Sequence, residues 1–173
     1  MNKLLTANIW RLAIVLFLQL MLLKQISFDL SILSYMQFLI YPVIILMLPV
    51  KLDRTLTLLI AFAIGITMDM FYDSPGVHAA ATVTTAYLRP FLLAWMEPYE
   101  GYNVRESPTI EKLGFRWYAV YLAALLLTHL LLYFSIEAFS FVFIGDIVLN
   151  AIISFIPTYM IIMLGIFLFK PVN

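Results

Sequence analysis

Two histidines, His78 and His129, are the only imidazoles in this 173-residue chain, and it contains no cysteine. Any chemistry rests on those rings, on ten acidic side chains and on hydroxyl groups. The lack of thiols excludes disulfides, thiolate metal sites and a cysteine nucleophile. No His-Glu-x-x-His pair, no Gly-x-Ser-x-Gly elbow and no glycine-rich phosphate loop occurs. Asp69 is the natural third member of a metal site with the two histidines, but the spacing is unspecific and the histidines fall on different apolar segments. An aspartyl protease is a poor fit, because Asp146 stands at the edge of its segment with no flanking motif. The chain is expected to be no enzyme and to hold neither cofactor nor metal.

The surroundings of these groups matter more than their number. The chain is 64% hydrophobic and 12% charged, about half the ~25% charge of a soluble domain. Its mean hydropathy is +1.02. A water-soluble domain of this size has too much surface to hide so many apolar residues, so lipid is the expected solvent. Lysine plus arginine balance aspartate plus glutamate at 10 each, which leaves no basic excess to hold nucleic acid. A membrane-spanning helix needs ~20 mainly apolar residues. Six segments qualify by eye: Ile9–Ile26, Leu30–Val50, Leu56–Phe71, Val77–Met96, Phe115–Phe134 and Val142–Phe169. They predict an all-α integral membrane protein, a six-helix bundle forming one transmembrane domain over 1–173. Uninterrupted runs such as Ala123 to Leu127 argue against the alternation of a transmembrane β-barrel. Lys24-Gln25-Ile26 follows the first apolar core where a cleavage site would need small residues, so this segment is expected to stay.

Lysine and arginine favour the cytoplasmic side of membranes. With both termini cytoplasmic, Lys3, Arg11, Lys51, Arg54, Arg105, Lys112, Arg116 and Lys170 all fall on or near that side, and only Lys24 lies outside. The outer turns carry Asp29, Asp73, Glu137 and Asp146. The one sizeable loop, Glu97–Gly114, is then cytoplasmic.

Ionisable and amide groups within lipid are costly and need a reason. The set is Gln19, Gln37, Asp69, His78, Arg89, His129, Asn150 and, at an edge, Asp146. Most gather in the outer half, where they either bond between helices or line a ligand cavity. Asp69 and His78 flank the turn Tyr72–Gly76. Asp69 is expected to accept from His78 or from the free N–H groups that open the next helix, pinning the hairpin. Ala61 and Gly65, with Ala79, Ala80 and Ala81, mark close helix contact and place the third and fourth helices at the bundle centre. Arg89-Pro90 interrupts the fourth helix. Its guanidinium is expected to satisfy freed carbonyls, to reach lipid phosphates or to dock a partner.

Gly65-x-x-x-Asp69-x-Phe71, then Gly76-x-His78-Ala79-Ala80-Ala81, then Arg89-Pro90, resembles the MreD family of bacterial rod shape-determining proteins, in the branch found in Bacteroidetes-type bacteria. Glu100-Gly101-Tyr102, Gly114-Phe115-Arg116-Trp117, His129 and Glu137 to Phe141 extend the likeness over most of the chain. The resemblance implies a non-enzymatic inner-membrane subunit of the cell-elongation machinery. Its partners would be an MreC-like protein, the MreB filament, a SEDS glycosyltransferase and a class B penicillin-binding transpeptidase. It also implies a fold similar to the six-helix substrate-binding subunits of energy-coupling-factor transporters, without their function. A small-molecule-binding subunit of such a transporter is the competing expectation. On the first reading Gly65, Asp69, Gly76, His78 and His129 form a structural polar core. Arg89, Pro90, Tyr99, Tyr102, Arg105 and Arg116 are then the candidates for partner contact.

Overall fold

A computed structural model describes residues 13–25, 36–102 and 107–168. Within them all regular structure is helical. Residues 13–21 form α1, followed by a 3-10 turn at Leu23–Gln25. Then come α2 (Val43–Leu46), α3 (Arg54–Tyr72), α4 (Val77–Trp95), α5 (Ile110–Leu113), α6 (Phe115–Ala138) and α7 (Ile144–Leu168). The expected positions of Lys3, Arg11, Asp29, Arg105 and Lys170, and of 30–35 within the second span, lie outside the described residues.

Among the described residues three helices, α3, α6 and α7, are long and apolar enough to cross a membrane, which marks a membrane protein. Their patterning is that of a bundle in lipid. On α3, Leu56, Leu59, Phe62, Ile66 and Met70 are exposed. The opposite stripe, Thr57, Ala61, Ile64, Gly65, Met68 and Asp69, is buried. Large apolar side chains face out and small or polar ones face in, because association in lipid is driven by close packing and interhelical hydrogen bonds. On α7, Ile152, Ile156, Met160 and Leu164 are exposed against buried Ala151, Ser154 and Thr158. Helix α4 equals α3 in length but carries His78, three threonines and Arg89, nearly all on its buried face.

Local sequence sets the boundaries. Asp53 caps α3 by accepting the Leu56 N–H at 3.0 Å, as short acceptor side chains do at helix starts. Asp73 ends it in the left-handed conformation, with φ 52°. Gly76, at φ 88°, turns the chain into α4, a backbone state that costs glycine little. Gly114 does the same between α5 and α6 at φ 84°. Helix α6 runs to Ala138, four residues beyond the expected Phe134. Its polar end is bonded in place, with Ser135 Oγ donating to Leu131 O and Tyr133 Oη to Glu137.

The second expected span is corrected. Over 36–50 the chain has no regular structure from 36 to 40 and is α-helical only at Val43–Leu46. Pro42 and Pro49 account for the break, since each lacks an N–H and restrains the residue before it. Hydropathy alone cannot reveal this, because an unwound apolar segment scores like a helix. Leu39, Tyr41 and Ile45 are fully buried, so this segment forms the middle of the molecule. Helix α3 packs on α4, α4 on α6 and α6 on α7. The centre belongs to 36–50, α4 and α6, where small-residue spacing placed α3 and α4.

A candidate functional site in the buried polar core

An unwound segment inside a membrane protein must have its backbone satisfied by protein, because lipid offers no partners. Side chains from four helices do this. Gln19 on α1 accepts the Ile40 N–H at 2.8 Å through Oε1 and donates to Phe38 O at 2.7 Å through Nε2. Ser154 Oγ on α7 accepts the Gln37 N–H at 3.0 Å, and Thr158 donates to Gln37 O at 3.4 Å. At the far end, Tyr121 on α6 donates to Leu46 O at 3.1 Å. Arg89 on α4 donates to Leu48 O and, at 3.4 Å, to Pro49 O.

Arg89 is therefore corrected as a surface candidate. It is 2% exposed, its Nε donates to Tyr121 Oη at 2.8 Å, and its guanidinium closes the carbonyl end of the α2 turn. The carbonyls it satisfies belong to Leu48 and Pro49 and lie far from the Pro90 break in sequence. A forked, permanently charged donor suits several carbonyls at once.

Asp69 holds the opposite end of the hairpin. Its Oδ1 accepts the His78 N–H at 2.8 Å and its Oδ2 the Ala79 N–H at 3.0 Å. Ser74 adds a weaker contact at 3.3 Å. Of the partners expected for Asp69, the structure shows the backbone N–H groups that open α4, while the His78 ring points elsewhere. Gly65 lies one turn before Asp69 against the same stretch of α4. A Cβ on it would sit 2.4 Å from Ala79 Cα and 2.8 Å from Thr82 Oγ1, so only glycine lets the two backbones meet.

The two histidines join through a residue that the sequence reading passed over. Tyr41 Oη lies 2.8 Å from His78 Nδ1 and 2.8 Å from His129 Nε2. His129 Nδ1 is 3.1 Å from Thr85 Oγ1. His78, His129 and Tyr41 are all fully buried. The available signal was the α4 spacing His78, Thr82, Thr85, Arg89, which puts four polar side chains on one face. Tyr41, in an apolar run before Pro42, gave no such sign.

The remaining partner candidates divide. Tyr99, Pro90 and Arg116 are exposed, and Arg105 is outside the described residues. Tyr102 is partly inward: its hydroxyl donates to Leu93 O at 2.8 Å and its ring meets Trp117 edge-on at 5.9 Å. Burial, together with the nearby Glu97 carboxylate, pushes that hydroxyl up to about 12, so it remains a donor at physiological pH. Trp117 donates to Met96 O at 2.7 Å, tying the end of α4 to α6. Arg54 stacks over Tyr87 at 4.5 Å and faces Phe91 at 5.8 Å, next to the exposed Pro90.

Comparison with known proteins gave no match to a family model, a curated protein or a solved structure.

Proposed function

We propose that the chain is a non-enzymatic, six-span subunit of the bacterial inner membrane, of the MreD kind, with both termini cytoplasmic. It serves the cell-elongation machinery by presenting surfaces to an MreC-like protein, to MreB filaments and to the glycosyltransferase and transpeptidase that build the wall. The observation that carries this reading is the Gly65–Pro90 string. Its residues do structural work at the α3–α4 hairpin: close approach at Gly65, helix capping at Asp69, a left-handed turn at Gly76 and carbonyl capping at Arg89. Polar groups committed to the fold suit a body that acts by shape. The contact surface is then the Glu97–Arg116 loop, with Tyr99 and Arg116 exposed on it and Pro90 exposed on α4. Depletion is expected to round rod-shaped cells, and a tagged copy should recover the MreC-like protein from detergent. Unchanged cell shape and no recovery of any elongation component would defeat the reading.

A transporter subunit is the second reading. One feature favours it: a cavity of about 310 Å³ lined by Gln37, Glu137, Asp146 and Asn150 beside Phe134 and Phe143. Against it, Asp69 turns both carboxylate oxygens to backbone N–H groups. A vitamin-sized molecule copurifying with the chain would favour this second reading over the first.

A further inference from the structure

The hydrogens of the buried chain can be placed by counting donors. A threonine hydroxyl has one hydrogen. That of Thr85 goes to Ala81 O at 2.7 Å, so toward His129, 3.1 Å away, Thr85 accepts. His129 then carries its proton on Nδ1, and its bare Nε2 must receive the Tyr41 hydrogen across 2.8 Å. Tyr41, having given its only hydrogen, must accept from His78 Nδ1 at 2.8 Å. His78 is left with a bare Nε2.

That atom is fully buried and has no hydrogen-bond partner among the described residues. A charged imidazolium is a poor alternative at such depth without a free counter-ion. The Asp69 carboxylate already accepts two backbone N–H groups, and that of Glu137 accepts the Tyr133 hydroxyl. Beside His78, with ring centres 4.9 Å apart, lies Tyr72. Tyr72 Oη receives Gln19 Nε2 at 2.6 Å, and its own hydrogen has no acceptor among the described residues. One neighbour needs a donor and the other an acceptor. A water molecule supplies both, and a buried water is stable where it has two or more polar partners.

We propose that the core binds one water molecule between the Tyr72 hydroxyl and His78 Nε2. It closes a one-way relay: Gln19, Tyr72, water, His78, Tyr41, His129, Thr85, Ala81 O. Every donor points the same way. Both histidines are neutral, and both carry the proton on Nδ1, the nitrogen facing their acceptor. The relay ties α1, α3, α4, α6 and the unwound segment into one hydrogen-bonded unit. Its other neighbour, Tyr133, packs on His78 with ring centres 4.8 Å apart and sends its hydrogen away to Glu137.

Nitrogen-15 spectra of histidine-labelled protein in lipid nanodiscs at neutral pH test this. Both rings are expected to show a protonated Nδ1 and a bare Nε2. Magnetisation transfer from water should reach the His78 ring and not that of His129. A proton on His78 Nε2, a charged ring, or no transfer to His78 in the unaltered protein would overturn the proposal. Tyr72→Phe removes one anchor and should cut the water transfer about tenfold or more while the Nδ1 protons stay; transfer at the original rate would also overturn it. If that variant does not accumulate, the spectrum of the unaltered protein decides alone.

Discussion

Asp69 shows how one buried acid fixes a hairpin. It accepts the first free N–H groups of α4 and stands one turn from the glycine that lets α3 and α4 touch. Asp69→Ala strands those donors in the core, at about 1–3 kcal/mol for a lost buried partner. Thermal unfolding in detergent is expected to show that loss, with Asp69→Asn, which keeps one acceptor oxygen, losing less. Gly65→Ala adds a methyl group where backbone already stands, and overpacking of this sort costs about 1–3 kcal/mol. Its melting temperature should fall, and crosslinks between α3 and α4 should weaken with it. The sequence made Gln19, Asp69, His78, Arg89 and His129 visible as residues needing partners, because few polar groups interrupt the apolar runs. Their partners were hidden, since backbone carbonyls and a tyrosine carry no pattern that sets them apart.

At the scale of elements, the unwound stretch 36–50 is the feature that apolar patterning could not reveal. Prolines 42 and 49 were its only marks, and a proline alone also fits a kinked helix. What makes the stretch tolerable is distant: Gln19, Ser154, Tyr121 and Arg89 complete its backbone from four helices. The other long helices were readable within a few residues because their stripes repeat. The far end of α6 was underestimated, since Ser135 and Glu137 read as an exit from the membrane. Hydrogen exchange checks this arrangement. The amides of Gln37 and Ile40, though outside any helix, should be protected. Ser154→Ala should speed exchange at Gln37 and leave Ile40 unchanged, and Gln19→Leu should do the reverse.

At the scale of the whole molecule, polarity is inverted relative to a soluble protein. Hydroxyls, amides and Arg89 sit inside, while Leu59, Phe62, Met160 and Leu164 face out. With no native cysteine, Tyr99→Cys and Asp73→Cys report sidedness cleanly. A membrane-impermeant thiol reagent added to intact spheroplasts should label Asp73→Cys and leave Tyr99→Cys unlabelled until the membrane is opened.

The central claim is that the polar side chains of the core hold the fold together and are not held out to partners, and Arg89 is where the two roles separate most clearly. The decisive measurement is the thermal stability and membrane abundance of Arg89→Ala and Arg89→Lys beside the unaltered protein. Removing the guanidinium takes the donor from the Leu48 carbonyl and from the buried Tyr121 hydroxyl, while Pro49 O keeps the Leu52 N–H at 3.3 Å; a lost bond to a charged donor costs about 1–3 kcal/mol. Arg89→Ala is therefore expected to melt earlier and accumulate poorly, with Arg89→Lys recovering only part of the loss because a single ammonium cannot replace the fork. An Arg89→Ala protein as stable and abundant as the original, defective only in partner recovery, would contradict that claim.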